Sequence, residues 1–281
     1  MHALSKFLPS DFDKNAAIQI IAGKGDYPKE TAARIRALGL NVKLIAFENE
    51  TEEDLWGSFA ENDRVRINVG QLGKLIKHTK IFGSKYAIMA GQITPKRLFK
   101  DLKPDLKAVM ILATLKEKNA ETIFGAIGTE LSKIGCELLD ARAFLDDSVA
   151  SAGWICGKNW DVEQAHLEHG LRIVRECARL DIGQSCAVAH GTVLAVEGFE
   201  GTDKMIERAG SFDAKHALFV KTVKPAQDYR FDVPVVGERT VRKLAESKIF
   251  NAAIESEKVI ILQPQKVKKL AEELGVKIYG A

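Results

Sequence analysis

The stretch "AAIQIIAGKGDYPKETAARIRALGLNVKLIAF", residues 16–47, holds two short apolar runs around a segment of helical periodicity. The first run, "AAIQIIA", is continuous and short, which is typical of a buried strand. After "GKGDYP" the apolar residues follow a helical spacing until Gly39, and "NVKLIAF" then predicts a second strand. The stretch therefore predicts a β-α-β unit with two parallel strands and a right-handed crossover.

The same alternation continues through the first 115 residues or so. The runs "VRINVG" and "YAIMAG" again end in glycine, and "QLGKLIKHTKIFG" between them predicts a helix. A further amphipathic helix is expected over "NAETIFGAIGTELSKIG", which begins at Asn119. Strands that alternate with helices predict an α/β fold with a parallel sheet.

The chain length predicts two lobes, because 281 residues exceed the roughly 100–200 of one domain. The segment "DDSVASAGWICGKNW" is rich in Ser, Ala and Gly and is the best linker candidate. We therefore predict a Rossmann-like N-terminal domain over residues 1–150 and a smaller α/β or α+β domain over residues 151–281. In the second domain, "SCAVAHGTVLAVE" predicts a hairpin that turns at His190 and Gly191.

Composition argues against several classes of protein. A net charge of +3, from 41 basic and 38 acidic residues, argues against nucleic-acid binding. No apolar run reaches the roughly 18 residues of a membrane-spanning helix. Four cysteines without a C-x-x-C pair favour reduced thiols in a cytoplasmic protein over disulfides or a zinc site.

The turn "IIAGKGDYP" after the first strand has the setting of a phosphate-binding loop. Gly23 and Gly25 would let backbone amides approach a phosphate at the N-terminus of the next helix. The third glycine of a dinucleotide fingerprint is missing, since Pro28 and Lys29 stand there. Phosphate or nucleotide binding is favoured over an ordinary tight turn.

Two other motifs are weaker. His166 and His169 are spaced like metal ligands on a helix, but no third ligand has matching spacing, so a solvated helix face is favoured. Ser185 in "GQSC" lacks the final glycine of a nucleophile elbow, because Ala187 replaces it. A serine hydrolase is therefore not expected.

The segment "LAVEGFEGTDK" brings acidic residues into a glycine-rich turn before a helix. Glu197, Glu200 and Asp203 supply hard oxygen atoms of the kind that magnesium prefers. Thr202 could cap the helix, and the amides there could also bind phosphate. Capping alone and ligand binding are left as equal alternatives.

The stretch "KTVKPAQDYRFDVPVVGERT", residues 221–240, concentrates charge in a loop that two prolines stiffen. Lys221, Lys224 and Arg230 suit phosphate recognition. Asp228 and Asp232 offer a base or a metal ligand. This set of residues favours a site for phosphoanhydride hydrolysis over the alternative of an exposed loop held by salt bridges.

Several of these segments together resemble the LpxI-type UDP-2,3-diacylglucosamine pyrophosphatases of lipid A synthesis. The resemblance is most specific in "LDIGQS", "GTVLAVEGFEGTD" and "KPAQDYRFDVPVVGERT", and it extends through "IAGKGDYP", "VGQLGKLIK" and "AGQITP". It implies a two-lobed enzyme, dependent on Mg²⁺ or Mn²⁺, that hydrolyses UDP-2,3-diacylglucosamine in a cleft between the lobes. The products would be UMP and 2,3-diacylglucosamine 1-phosphate (lipid X).

The resemblance also assigns residues. The essential aspartate of an arginine-x-aspartate-x-proline motif falls on Asp232, which we predict to be catalytic. The expected metal ligands are Asp232, Asp203 and Glu200. The expected substrate-binding residues are Gly23, Gly25, Asp26, Lys74, Gly91, Gln92, Gln184, Gly201, Thr202, Lys221, Lys224, Gln227 and Arg230.

This chain departs from the family at two places. Family members commonly have three glycines where it has Gly23, Lys24 and Gly25, and an aspartate pair where it has Asn119 and Ala120. A cytoplasmic location with at most peripheral contact to the inner membrane is expected, and a homodimer is left open. Two alternatives remain: a non-enzymatic regulator that binds nucleotide sugars, and a nucleotide-dependent oxidoreductase or glycosyltransferase.

Overall fold

The computed structural model describes residues 4–93, 104–117 and 120–281, without the side chains of Ala120 and Glu121. These residues form two compact units. Unit 1 comprises the described residues up to Asp146 together with Asp228–Asp232. Unit 2 comprises Asp147–Gln227 and Val233–Ala281.

Unit 1 is built on a five-stranded sheet in the order β3-β2-β1-β4-β5, in which every pair of neighbours is parallel. The prediction of a Rossmann-like parallel sheet is thereby confirmed. Its strands are β1 (Ala17–Ala22), β2 (Val42–Phe47), β3 (Arg64–Ile67), β4 (Ser84–Ala90) and β5 (Glu137–Leu138). Its helices are α1 (Asp26–Ala37), α2 (Glu53–Gly57), α3 (Leu72–Phe82), α4 (Leu106–Thr114) and α5 (Ala120–Ser132), with a short 3-10 helix at Glu61–Asp63.

The central strand explains why this order forms. All six residues of β1 are buried, as is usual for a strand covered on both faces. Its one polar side chain, Gln19, donates a hydrogen bond to the Thr79 hydroxyl at 2.9 Å. The apolar sequence of β1 therefore decides its central place in the sheet.

Unit 2 contains a six-stranded mixed sheet in the order β6-β13-β11-β9-β7-β8 and a small β10-β12 pair. The strands are β6 (Gly153–Cys156), β7 (Ser185–Ala189), β8 (Thr192–Val196), β9 (Leu218–Lys221), β10 (Val235–Val236), β11 (Asn251–Ile254), β12 (Ile260–Ile261) and β13 (Lys277–Gly280). The helices are α6 (Gln164–Arg179), α7 (Thr202–Gly210), α8 (Glu238–Glu246) and α9 (Pro264–Leu274), and Asp146–Ser148 forms a 3-10 helix where the chain passes from unit 1 to unit 2.

Apolar side chains cover both faces of this second sheet. Val174 of α6 packs with Val188 and Val220 on one face. On the other face Met205 of α7 and Val241 of α8 belong to the larger core. The predicted hairpin is confirmed: β7 and β8 are antiparallel and join through His190 and Gly191, both of positive φ.

Two features differ from the predicted organisation. The segment expected to be a linker contains β6, an edge strand that pairs antiparallel with β13, because "GWIC" has an apolar side to bury. The chain also returns to unit 1 over Asp228–Asp232, so residues 151–281 do not form one uninterrupted unit. The start of the helix predicted from Asn119 and the end of "AGQITP" lie outside the described residues.

Candidate functional site

The glycine turns after β1 and β4 hold one another in place. The amide of Gly23 donates to the carbonyl of Ala90 at 2.8 Å, and Lys24 and Gln92 exchange two backbone hydrogen bonds of 2.7 and 3.1 Å. A Cβ atom on Gly23 would lie 2.5 Å from the Gln92 carbonyl oxygen, so glycine is required for this close approach. The amides of Gly23, Lys24 and Gln92 are therefore engaged within the turn pair. The N-terminus of α1, capped by Gly25, has no side-chain cap.

An apolar cavity of about 440 Å³ opens at these turns, within unit 1. The strands contribute the residues at their carboxyl ends, and α3, α4 and α5 supply most of the remaining wall. Side chains such as Phe47, Ile67, Met89, Leu112 and Ile127 make the lining apolar. This is the edge of a parallel sheet at which ligands usually bind.

The segment Asp228–Asp232 adds an aromatic side chain to the same cavity. Phe231 lines it, and its ring lies 6.2 Å from that of Phe124. Asp232, the predicted catalytic residue, follows Phe231 directly, and its amide donates to the Asp228 carbonyl at 3.1 Å. Asp232 is thus the chain neighbour of a residue that lines an apolar pocket within unit 1.

The backbone of Ala141 fixes this segment to unit 1. Its amide donates to the Tyr229 carbonyl at 2.8 Å, and its own carbonyl accepts the Tyr27 hydroxyl at 2.5 Å. Burial raises the pKa of Tyr27, so the phenol stays a neutral donor. The Arg142 guanidinium stacks 3.5 Å above the Tyr229 ring. These contacts determine where Asp232 lies.

Within the segment, Arg230 is already paired. Its guanidinium forms a bidentate salt bridge with Asp228, with nitrogen–oxygen distances of 2.9 and 2.6 Å. That pairing holds the pKa of Asp228 below its usual range. Arg230 would have to share or leave this carboxylate to bind a phosphate.

In unit 2 a buried lysine lies at the end of β9. Lys221 is 7% exposed, and its ammonium donates to the Thr202 hydroxyl at 3.4 Å. Among the described residues no carboxylate forms a salt bridge with it. Thr202 begins α7, whose N-cap Gly201 provides no side-chain cap. A buried cation beside an uncapped helix N-terminus is suited to an anion such as phosphate.

A carboxylate orients the threonine. Glu197 accepts a hydrogen bond from the Thr202 hydroxyl at 2.8 Å and another from the Ser185 hydroxyl. Ser185 pairs in register with Lys221, and the Glu197 amide donates to the Ser185 carbonyl. Adjacent strand ends thereby align a row of polar groups, in which Thr202 accepts from the lysine and donates to the glutamate.

The other predicted charged residues of unit 2 have ionic partners. Glu200 pairs with Arg208 at 2.5 Å, Asp203 pairs with Arg239, and Lys224 pairs with Asp181. Among the described residues no three His, Cys, Asp or Glu side chains are arranged to hold a metal ion. Asp232 belongs to unit 1, whereas Glu200 and Asp203 belong to unit 2. The metal-ligand assignment stays a prediction.

Comparison with known proteins agrees with the resemblance seen in the sequence. The model of the LpxI N-terminal domain matches residues 17–148, and the model of the LpxI C-terminal domain matches residues 151–279. The chain belongs to the LpxI family. The UDP-2,3-diacylglucosamine pyrophosphatase LpxI of Caulobacter vibrioides is 27% identical over 277 residues, which cover 93% of this chain and 96% of the relative.

The remaining predicted substrate-binding residues lie near these features or on the surface. Asp26 is exposed at the start of α1, and Lys74 is exposed on α3. The carbonyl of Gln184 accepts a hydrogen bond of 2.9 Å from the amide of Thr222, the residue after Lys221. The Gln227 side chain accepts the Lys224 amide at 3.0 Å and shapes the loop after β9.

Sequence reasoning missed two groups in this LpxI protein. The first is the apolar part of the cavity lining, which resembles ordinary core in the sequence. The second is the buried Glu255, which accepts hydrogen bonds from the Thr222 hydroxyl and from Lys258 at 2.9 Å. Its place directly after β11, at the carboxyl end of the sheet, was the available clue.

Proposed function

We propose that this LpxI-family protein hydrolyses the pyrophosphate bond of UDP-2,3-diacylglucosamine, releasing UMP and 2,3-diacylglucosamine 1-phosphate. The observation that carries the proposal is the position of Asp232, one residue after the Phe231 side chain that lines the apolar cavity. An apolar pocket beside a carboxylate matches a substrate that joins acyl chains to a phosphoanhydride. The name of the Caulobacter relative supports the same reaction.

The acyl chains are assigned to the cavity of unit 1. About 440 Å³ falls within the range of small-molecule pockets and is large for an unfilled core. Each methylene group that it buries would contribute about 0.8 kcal/mol to binding. Discrimination against sugars without acyl chains would therefore arise here.

The phosphates are assigned to the polar groups around Lys221, at the carboxyl end of β9 in unit 2. The lysine ammonium, the Thr202 hydroxyl and the amides at the N-terminus of α7 would supply charge and hydrogen bonds to phosphate oxygens. Glu197 holds the Thr202 hydroxyl in place. That one ligand spans the two lobes stays a prediction.

Asp232 is proposed to act on the water that attacks phosphorus. As a general base its carboxylate would accept the proton of that water. Its alternative role is that of a metal ligand. Phe231 and the cavity lining would limit the entry of bulk water beside it, which favours an orderly displacement.

A magnesium requirement is part of the proposal. Mg²⁺ is usually held by one or two carboxylates together with phosphate oxygens and water, so a preformed set of three protein ligands is not needed. Asp232 is proposed to supply such a carboxylate, and Glu200 and Asp203 would have to release their arginines to take part. When bound, the ion would neutralise charge on the pyrophosphate.

The test incubates the full chain with UDP-2,3-diacylglucosamine and identifies products by mass spectrometry, with and without Mg²⁺ and after chelation by EDTA. We expect UMP and the acylated sugar 1-phosphate, with turnover abolished by EDTA. Binding without any release of UMP would instead support the non-enzymatic regulator. Turnover that survives EDTA would remove the metal from the proposal but leave the reaction standing.

The oxidoreductase alternative is disfavoured by the glycine turns. A dinucleotide-binding loop offers free amides to the pyrophosphate. Here Gly23 and Lys24 donate their amides to backbone carbonyls of the turn pair. The close approach of the two turns explains these glycines without a dinucleotide.

A further inference from the structure

Helix α4 is apolar on two opposite sides. Ala108, Ile111, Leu112 and Leu115, at and just beyond its end, line the cavity. Leu106, Val109 and Met110 point away from it and are 77%, 47% and 59% exposed, and Ala113 continues this row on the exposed side. The spacing i, i+3, i+4, i+7 makes them one stripe. A helix that is apolar on two opposite sides is normally covered on both, and this one leaves a full stripe uncovered among the described residues.

Lysines of α3 border the stripe. The two helices pack together, and the Gly73 amide donates to the Asp105 carboxylate at the N-cap of α4 at 2.7 Å. Lys77 and Lys80 follow Gly73 at i+4 and i+7, on the side of α3 that meets α4. Both are exposed, and neither forms a salt bridge with a described residue.

Lys77 and a third exposed lysine of α3, Lys74, place positive charge beside His78. The pKa of His78 is lowered, first by burial and then by the positive charges of Lys77 and Lys74. Ile81, 62% exposed, adds another apolar group to α3. The surface thus combines an apolar stripe with a cluster of positive charge, the pattern of interfacial membrane anchors.

We propose that this face, formed by Leu106, Val109, Met110, Lys77 and Lys80, docks the protein on an anionic lipid bilayer. The stripe inserts among the acyl chains, and the two lysines contact the lipid phosphates. Because the inner side of α4 lines the cavity, a single helix separates the bilayer from the apolar pocket. No described helix is long and apolar enough to cross a membrane, so docking is interfacial. The inference rests on the exposed surface and does not require that the protein hydrolyse anything.

The test is co-flotation of the full chain with vesicles of phosphatidylethanolamine and phosphatidylglycerol, beside vesicles of phosphatidylcholine alone. The wild type should float with the anionic vesicles, and it should remain in the bottom fraction when only zwitterionic vesicles are present. L106E/M110E should lower the partition coefficient by about tenfold or more, since two large apolar groups leave the bilayer. K77E/K80E should cause a similar loss, because each lysine near an anionic surface contributes about fivefold.

The matched control is F212E, since Phe212 lies in unit 2 and its exposure of 58% is similar to the 59% of Met110. It should float like the wild type. All variants should keep the wild-type melting temperature, because the changes are on the surface. Three outcomes would each overturn the proposal. The wild type does not float with either kind of vesicle, the stripe and lysine variants float as well as the wild type, or F212E loses as much flotation as they do.

The main alternative occupant of this face is a second copy of the chain. Light scattering distinguishes the two cases, because it measures the molecular mass of the protein in solution. If the stripe were a dimer interface, the wild type would be a dimer, L106E/M110E a monomer, and vesicles would recruit neither. That combination would also overturn membrane docking. Flotation without hydrolysis would count against the proposed reaction alone.

Discussion

The carboxyl ends of the parallel strands carry opposite chemistry in the two units. In unit 1 they open on an apolar cavity around glycine turns. In unit 2 they carry Lys221, and beside it Ser185 and Glu197, in a hydrogen-bonded polar row. Sheet topology determines where a ligand binds, whereas the residues just past each strand determine which part of a ligand is bound.

The largest expected effect is at Asp232, which belongs to the apolar unit but is proposed to do chemistry. D232N should lower single-turnover hydrolysis by about 10²–10⁴-fold while substrate binding is kept, because a carboxylate that accepts a proton is lost. Rapid-quench kinetics and equilibrium binding measure the two quantities. D228N is the local control, since Asp228 pairs with Arg230. An equal loss in both variants would assign the effect to the shape of the segment.

Next in size is the buried cation of unit 2. K221M should weaken binding of UDP by about 10–100-fold, the worth of a charge-assisted hydrogen bond, and change uridine binding little. It should not lower the melting temperature of the ligand-free protein, because it removes a buried charge without a carboxylate partner. Calorimetric titration checks both ligands.

The control is K224M, at a half-buried lysine that pairs with Asp181. It should weaken UDP binding less than K221M does. If the two variants were equal, the distinction between a buried binding lysine and a structural salt bridge would fail.

A third prediction fills the apolar cavity. A108F should weaken binding of a short-chain diacyl substrate by about tenfold, because the phenylalanine ring would fill part of the cavity that is proposed to hold the acyl chains. Binding of unacylated UDP-glucosamine should not change. A113F, on the exposed side of the same helix, is the control. A loss in A113F equal to that in A108F would detach the cavity from acyl recognition.

The smallest effect concerns Glu255, which is proposed to stabilise unit 2 and not to bind ligand. Burial acts to raise its pKa, but hydrogen bonds from Thr222 and Lys258 outweigh it and hold the pKa below the ordinary 4.5. A carboxyl group with a depressed folded-state pKa stabilises the protein at pH values above its ordinary pKa. This stabilisation is lost as the pH falls through the folded-state pKa. T222V should therefore cost about 1 kcal/mol at pH 7.

The difference between wild type and T222V should shrink on acidification, as Glu255 becomes protonated in both. Urea unfolding at neutral and acidic pH measures it. A difference that grew as the pH fell would contradict the assigned role. K221M should leave this pH dependence as it is in the wild type.

The sequence predicted the fold well where one local pattern was sufficient. The β-α-β unit and the His190–Gly191 hairpin follow from periodicity and turn residues, and both are present. The return of Asp228–Asp232 to unit 1 could not be predicted, because it depends on long-range contacts such as that between Ala141 and Tyr229.

Site prediction had the same limit. Lys221 and Thr202 were both chosen from the sequence, and the structure brings them together. The cavity was missed because Met89 and Leu112 look like core residues, and only their three-dimensional arrangement leaves a space. The partner of Asp203 was missed because Arg239 is distant in sequence, whereas Arg208 lies only eight residues after Glu200 and was overlooked.

The central claim is that an apolar cavity and a nearby carboxylate select an acylated nucleotide sugar for hydrolysis. The most direct measurement is kcat/KM of the wild-type protein for UDP-2,3-diacylglucosamine and for UDP-glucosamine, under the same conditions with Mg²⁺. The account predicts a preference of about a hundredfold or more for the acylated substrate, because even a few buried methylene groups supply that energy. Equal values, or no release of UMP from either compound, would contradict it.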